Sequence, residues 1–489
     1  MKLQTIRTLT NLATLRKKPV PNFQFECRRY FIAVAAIVLS LHVAFASSGR
    51  AAERSWRAGV ARTKITPDGS YWMGGYASRK RPSEGTLQDL YAKAIAIDDA
   101  SGSRVVIVTT DLLVITRDLG EAVKRRAAEK YKLPPSRVLL NCSHTHCGPE
   151  IRLYRGSLHN IPTDLARKMH AYVKQLEDKL VKLVGDAIAN QKSARLSYAE
   201  SQAAFAVNRR NNRAADVPRL RKEGKLIGPV DHSVPVLKVT DAEGQVVAIL
   251  FGYACHNTIM SFYQTSGDYA GFAQQYIEEK HPQAVAMFVM GAGGDQNPEP
   301  RRKVEYLHQY GRALADAVET ALDAPGREVS GSLRAALAEA PLEFQPHADL
   351  GTLQEQTKSS NQYERWKANF VLSELDAGRR ISRQYGLPIQ AVAFGDDLMM
   401  VAIGGECVVD YSVRTKLRYA RNGGPAVWVA GYSNDVFGYL PTLRVLQEGG
   451  YEGGGHMIYT KFPGPFTDTI EERVFETLDR LVREMGPQP

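Results

Sequence analysis

Val246-Val-Ala-Ile-Leu-Phe-Gly-Tyr253 runs without a charge into Ala254-Cys255-His256-Asn257. A strand with one wet face alternates apolar and polar residues, so an unbroken apolar run of this length predicts a strand covered on both faces. The same pattern recurs at Ala92–Ile97, Val105–Thr110, Val138–Cys142, Val236–Val239, Ala284–Met290, Ile389–Phe394, Leu398–Ile403 and Val427–Ala430. Between these runs, apolar residues spaced three and four apart predict helices near 117–131, 163–191, 269–280, 304–323, 353–378, 408–420 and 467–485. Alternation of this kind means an α/β fold: a mixed, largely buried β-sheet core flanked by helices, with ligands bound at strand ends. The stretch 345–386 is polar and charged, with Tyr363, Trp366 and Phe370 on one helical face, and reads as a helical insertion between two core strands.

The chain has 489 residues, 44% of them hydrophobic and 24% charged, as expected of a globular protein. No fixed-period repeat is visible, which argues against solenoids and propellers. Residues 1–50 carry eight Lys/Arg and one acid, leaving only +4 of the formal +11 for the remainder. That balance gives no reason to expect a nucleic acid partner. Arg28-Arg29, the 16-residue apolar run Phe31–Ala46 and the small residues to Ala52 describe an export signal. The run is short for a membrane span, which needs roughly 20 residues, so an uncleaved anchor through residues 31–46 is the alternative. The resulting division is a leader over 1–52 and a single domain over 53–489. Cys142, Cys147, Cys255 and Cys407 are even in number, which permits disulfides in an exported chain. Their place beside the candidate site fits small buried free thiols better.

The chemistry gathers where strands end. Val138-Leu-Leu leads to Asn141-Cys-Ser-His144-Thr-His146-Cys-Gly-Pro149. If the strand continues, His144 and His146 point the same way and suit a zinc ion. A hydrogen-bonded histidine pair is the bland alternative. His256 stands at a second strand end, before Ser266-Gly-Asp268, where Asp268 reads as a helix cap. Glu406 follows Leu398–Ile403 and opens a helical pattern, favoured there by the helix dipole or serving as a third metal ligand. A fourth strand, Val427–Ala430, leads to Asp435 and Tyr439. Gly291-Ala-Gly-Gly-Asp295 and Gly453-Gly-Gly-His456 lack the Gly-Lys-Ser/Thr ending of phosphate loops.

Taken in order, these clusters resemble the neutral/alkaline (non-lysosomal) ceramidases, zinc amidohydrolases that split ceramide into sphingosine and fatty acid. The resemblance spans about Arg57 to Gly455. It includes Gly59–Pro67 with Met73-Gly-Gly-Tyr76, His144–Pro149, Val207-Asn-Arg209, His256, Ser266-Gly-Asp268, Gly294-Asp295, Gly405-Glu406 and Ser433 through Gly453. It implies one zinc ion on His144, His256, Glu406 and Tyr439, with His146, Arg209, Asp295 and residue 297 in the catalytic set. His146 would polarise the carbonyl or stabilise the oxyanion, and Arg209 would add fixed positive charge. Two departures stand out. Asn297 occupies the place of the family's serine in Gly294-Asp295-Gln296-Asn297-Pro298, and the chain ends at Pro489 without the family's C-terminal β-sandwich. The expectation is zinc-dependent hydrolysis of an amide in a small-molecule or lipid N-acyl substrate by zinc-activated water. Membrane-surface contact would come only through that substrate. An esterase on another acyl substrate, or a ligand-binding relative without catalysis, are the alternatives.

Overall fold

The computed structural model describes residues 56–420 and 424–486, which fall within one compact unit, Arg54–Pro489. The proposed leader lies outside the described residues. Eight principal strands form the large sheet: β1 (Trp56–Lys64), β2 (Tyr91–Asp98), β3 (Arg104–Thr110), β4 (Val138–Cys142), β5 (Lys192–Gln202), β6 (Ser233–Asp241), β7 (Val246–Tyr253) and β8 (Val285–Met290). Their spatial order is β8-β7-β6-β5-β1-β2-β3-β4, and Arg327–Val329 adds a ninth strand against β5. The two outermost pairs, β8 with β7 and β3 with β4, are parallel, and the inner pairs are antiparallel. A second sheet, β9 (Leu333–Glu343), β10 (Gln384–Phe394), β11 (Leu398–Ile403) and β12 (Ala426–Ala430), is antiparallel except for β11 with β12.

Two stacked sheets explain the unbroken apolar runs. Along β3, Val105 and Ile107 turn towards the second sheet, meeting Val392, Phe394, Met400 and Trp428. Val106 and Val108 turn the other way, into a core shared with helices α1 (Arg117–Tyr131), α2 (Thr163–Ala189), α3 (Asp268–Lys280) and α4 (Val304–Asp323). Each such side chain removed from water contributes roughly 1.5–3 kcal/mol. The far face of the second sheet is closed by α8 (Ile470–Glu484), through Val474, Leu478 and Leu481. The order is therefore helices, sheet, sheet, helix.

Strands β1, β5 and β9 escape the apolar-run reading. β9 (LRAALAEAPLE) has the composition of a helix, and pairing with β10 along its whole length overrides that preference. The insertion between β9 and β10 is helical, as the sequence predicts. It breaks into α5 (Leu350–Gln356) and α6 (Gln362–Asp376), because Asn361 caps the second helix by accepting from Tyr363 N. α7 (Asp410–Tyr419) follows β11. Among the described residues no helix is long and apolar enough to cross a membrane.

Candidate metal centre

Four strand ends meet. Buried Asn141 stitches them together: Nδ2 donates to Gly431 O at 2.7 Å and Ser433 Oγ at 3.1 Å, and Oδ1 accepts from Met290 N at 2.8 Å. β4 ends at Cys142 and does not continue through the histidines. His144 adopts φ 61°, a left-handed conformation that turns the chain, so the loop and not strand alternation brings the two imidazoles together. Asn257 holds this loop to the end of β7: its carbonyl accepts from His146 N at 3.1 Å, and its side chain donates to Ser143 O. Asp268 is no cap. It is the first helical residue, at φ 54°, and its carboxylate accepts from Ile259 N and Met260 N, shaping the segment after His256. Glu406 does not open a helix. Residues 406–407 form a short strand parallel to Tyr439–Leu440, in the register Glu406 to Tyr439. Gly294 lets that strand approach, since a methyl there would lie 2.5 Å from Glu406 O.

The side chains converge tightly. His144 Nε2 lies 3.0 Å from His146 Nε2 and 3.1 Å from a Glu406 oxygen, and His256 Nε2 lies 3.3 Å from that same oxygen and 3.3 Å from Tyr439 Oη. Backbone carbonyls decide the tautomers. His144 Nδ1 sits 2.7 Å from Leu113 O and His256 Nδ1 sits 2.6 Å from Gly293 O, so each Nδ1 carries the proton. Both Nε2 lone pairs therefore face Glu406 Oε2, which is buried and finds no hydrogen to accept. Acceptors crowded around one point repel unless a cation joins them, and nitrogen and oxygen donors of this kind suit zinc. His144, His146 and His256 form a buried group able to hold a metal ion. Burial pushes the His256 imidazole down to about 4, helped by the Arg209 charge, and carries His146 well below its ordinary value. Both are neutral at pH 7, as metal ligation requires, and a neutral ring keeps one N–H to donate.

Arg209 braces the far side. Its Nη2 donates to Tyr439 Oη at 3.0 Å and Gly294 O at 2.9 Å, its Nη1 to Asn297 Oδ1 at 3.3 Å, and its Nε to Glu452 Oε1 at 2.7 Å. Asn297 is thus within reach of the site through Arg209. Asp295 is set behind it: one oxygen accepts from Val409 N at 2.8 Å and the other from Asn208 Nδ2 at 3.0 Å. It holds the Gly294–Asn297 turn in place and does not line the cavity over the histidines. All four described cysteines are free and buried, burial raises their thiols, and none belongs to the group able to hold a metal ion.

The cavity above the cluster is about 100 Å³. Its wall adds residues that the sequence did not single out, chiefly Glu150, Arg152, Arg155, His159 and Tyr459. Their signal was proximity alone, as the first four follow the His-x-His loop within 13 residues of His146. His456, from the glycine-rich stretch, accepts from Tyr439 N at 3.2 Å and so fixes the backbone that carries the phenol.

The sequence profile described as neutral/alkaline non-lysosomal ceramidase, N-terminal, matches residues 56–302, half of the chain. Neutral ceramidase A of Dictyostelium discoideum is 25% identical over 268 residues, 51% of this chain and 37% of that relative. The chain thus spans little more than a third of that relative's length. Among solved structures, neutral ceramidase from Pseudomonas aeruginosa matches with a TM-score of 0.66 at 19% identity, over 87% of this chain and 73% of that one. A structure described as ceramidase complexed with C2 matches equally, with 74% of its chain covered. At these identities the likeness to the solved structures shows the fold.

Proposed function

This chain belongs to the neutral/alkaline non-lysosomal ceramidase family, and from that premise we propose that it hydrolyses the amide bond of a ceramide-like N-acyl substrate, with one zinc ion on His144, His256, Glu406 and Tyr439. The observation that carries the proposal is the pair of outward-fixed Nε2 lone pairs facing the orphaned Glu406 oxygen. Zinc held there supplies Lewis acidity and an activated water.

The chain's own residues do the rest. His146 is neutral, and its Nε2 stands at the cluster, 3.0 Å from His144 Nε2, where it can donate to the carbonyl oxygen as charge develops. Arg79 supports it from behind, donating to His146 O at 2.7 Å and Phe262 O at 2.9 Å. Arg209 fixes the Tyr439 oxygen and lends positive charge to the same space. Asn297 has no hydroxyl to acylate, so it positions substrate or water and no acyl group passes through residue 297. The test is metal content, together with turnover of a short N-acyl chromogenic amide before and after chelation. One zinc per chain, with activity lost on chelation and restored by zinc, supports the reading. Full turnover by metal-free protein overturns it.

A further inference from the structure

The cavity wall carries a charge that the metal centre does not use. Glu150 is claimed by Arg152, which donates to it through Nε at 2.8 Å and Nη2 at 2.7 Å. Glu406 belongs to the histidine cluster. Arg155, half-buried on the same wall, helps to lower the Glu150 carboxyl through its charge but makes no direct pair with it. Among the described residues it forms no ion pair. Its side chain meets Tyr154 Oη at 3.4 Å and stands 5.5 Å and 5.8 Å from the ring centres of Tyr154 and Tyr459. Lys461 also forms no ion pair among the described residues, and its ammonium sits 5.5 Å from the rings of Tyr154 and Phe370. His159 feels this surplus: burial pushes it down to about 4, and Arg155 deepens the shift. It therefore stays neutral and adds no charge of its own.

An arginine stacked on tyrosine at an open surface needs no partner but water. Arg155 lines a cavity of about 100 Å³ shared with His144, His146 and Glu406, well below the roughly 300–1,000 Å³ of typical ligand pockets. In a space that small, a guanidinium whose donors no carboxylate takes up directly favours an oxyanion, which it binds through a planar fork of donors. Resting on the amidohydrolase reading above, we propose that the substrate carries an anionic group, a carboxylate or a phosphate, which pairs with Arg155 while the amide lies at the histidine cluster. The N-acyl class is thereby narrowed to anionic members.

Three probes test this on the metal-loaded full chain: N-hexanoylglycine, its neutral carboxamide, and the phosphate ester of N-hexanoylethanolamine. Calorimetric affinity and kcat/KM are both measured, for the wild type, Arg155→Met and Arg155→Lys. The wild type should favour an anionic probe over the carboxamide by on the order of 10- to 100-fold, the worth of one charge-assisted hydrogen bond. Arg155→Met should bring the probes to near parity, and Arg155→Lys should keep part of the preference. The stronger anion tells carboxylate from phosphate. Equal handling of acid and carboxamide by the wild type, a preference untouched by Arg155→Met, or binding of none of the three overturns the proposal. Anion-selective binding without hydrolysis keeps the subsite and removes the amidohydrolase reading. Should Arg155→Met not fold, Arg155→Gln carries the same test, and an anion preference unchanged in it overturns the proposal.

Discussion

Gly75 is the most exacting place to perturb His146 without touching it. Gly75 sits at φ +98°, and a methyl group there would lie 2.6 Å from His146 Nδ1, 2.7 Å from Cγ and 2.9 Å from Cβ. Carbon contacts settle near 3.5–4.0 Å, so the imidazole must retreat by roughly 1 Å. Tyr76 blocks part of that retreat, its ring centre being 4.8 Å from that of His146. The positive φ adds about 1–3 kcal/mol of backbone strain to Gly75→Ala. A misplacement of about 1 Å costs on the order of 10²-fold in rate, close to the roughly 10²–10³ expected when an oxyanion donor is removed outright. Gly75→Ala and His146→Ala should therefore both lose about 10²-fold in kcat/KM. Both should retain one zinc, because His146 is assigned to the substrate and not to the metal. Steady-state kinetics beside metal analysis of the purified variants reads both quantities. Wild-type turnover by Gly75→Ala refutes the positioning argument, and loss of zinc from both variants makes His146 a ligand.

Other expectations follow from single contacts. Burial raises the Glu150 carboxyl, but bidentate Arg152 more than offsets this and holds it at about 2, from an ordinary 4.5. A depressed folded pKa gives stability that is present above 4.5 and lost as pH falls towards 2, here about 3 kcal/mol. The gap in urea midpoint between wild type and Glu150→Gln should thus narrow from pH 5 to pH 3, and a constant gap contradicts the pairing. Asn297→Ala removes the acceptor for Arg209 Nη1. It should slow turnover only partly, and mass spectrometry during turnover should find no acyl adduct on any side chain. Export should remove the leader near Ala46 or Ala52, which N-terminal sequencing of periplasmic or secreted protein checks; a mature chain beginning at Met1 and retained in the cytoplasm goes against it.

What the sequence displays depends on which force fixes each element. β7 and β11 are buried on both faces, so composition alone marks them. β1, β5 and β9 carry Arg, Lys, Ser or Glu because part of each strand is exposed, and only their pairing makes them strands. His144, His256 and Glu406 stand out because each follows an apolar strand by two or three residues, and strand ends gather in space, whereas Tyr439, nine residues beyond Ala430, is suggested only by the family resemblance. How they gather is not legible. The left-handed turn at His144, the Asp268 carboxylate folding the 259–260 backbone, and the register pairing Glu406 with Tyr439 are tertiary facts without a local pattern. Asp295 is legible as a motif, but its anchoring of the Val409 and Asn208 segments is not. Arg155 has no motif at all, and its meaning appears only when the carboxylates around it are seen to be taken.

Anomalous diffraction at the zinc absorption edge, from crystals of the purified full chain, locates the ion. One peak is expected among His144 Nε2, His256 Nε2, Glu406 and Tyr439, roughly 2.0–2.3 Å from each contacting atom. A peak at some other cluster, or zinc-soaked crystals with no peak between His144 and His256, would contradict this placement.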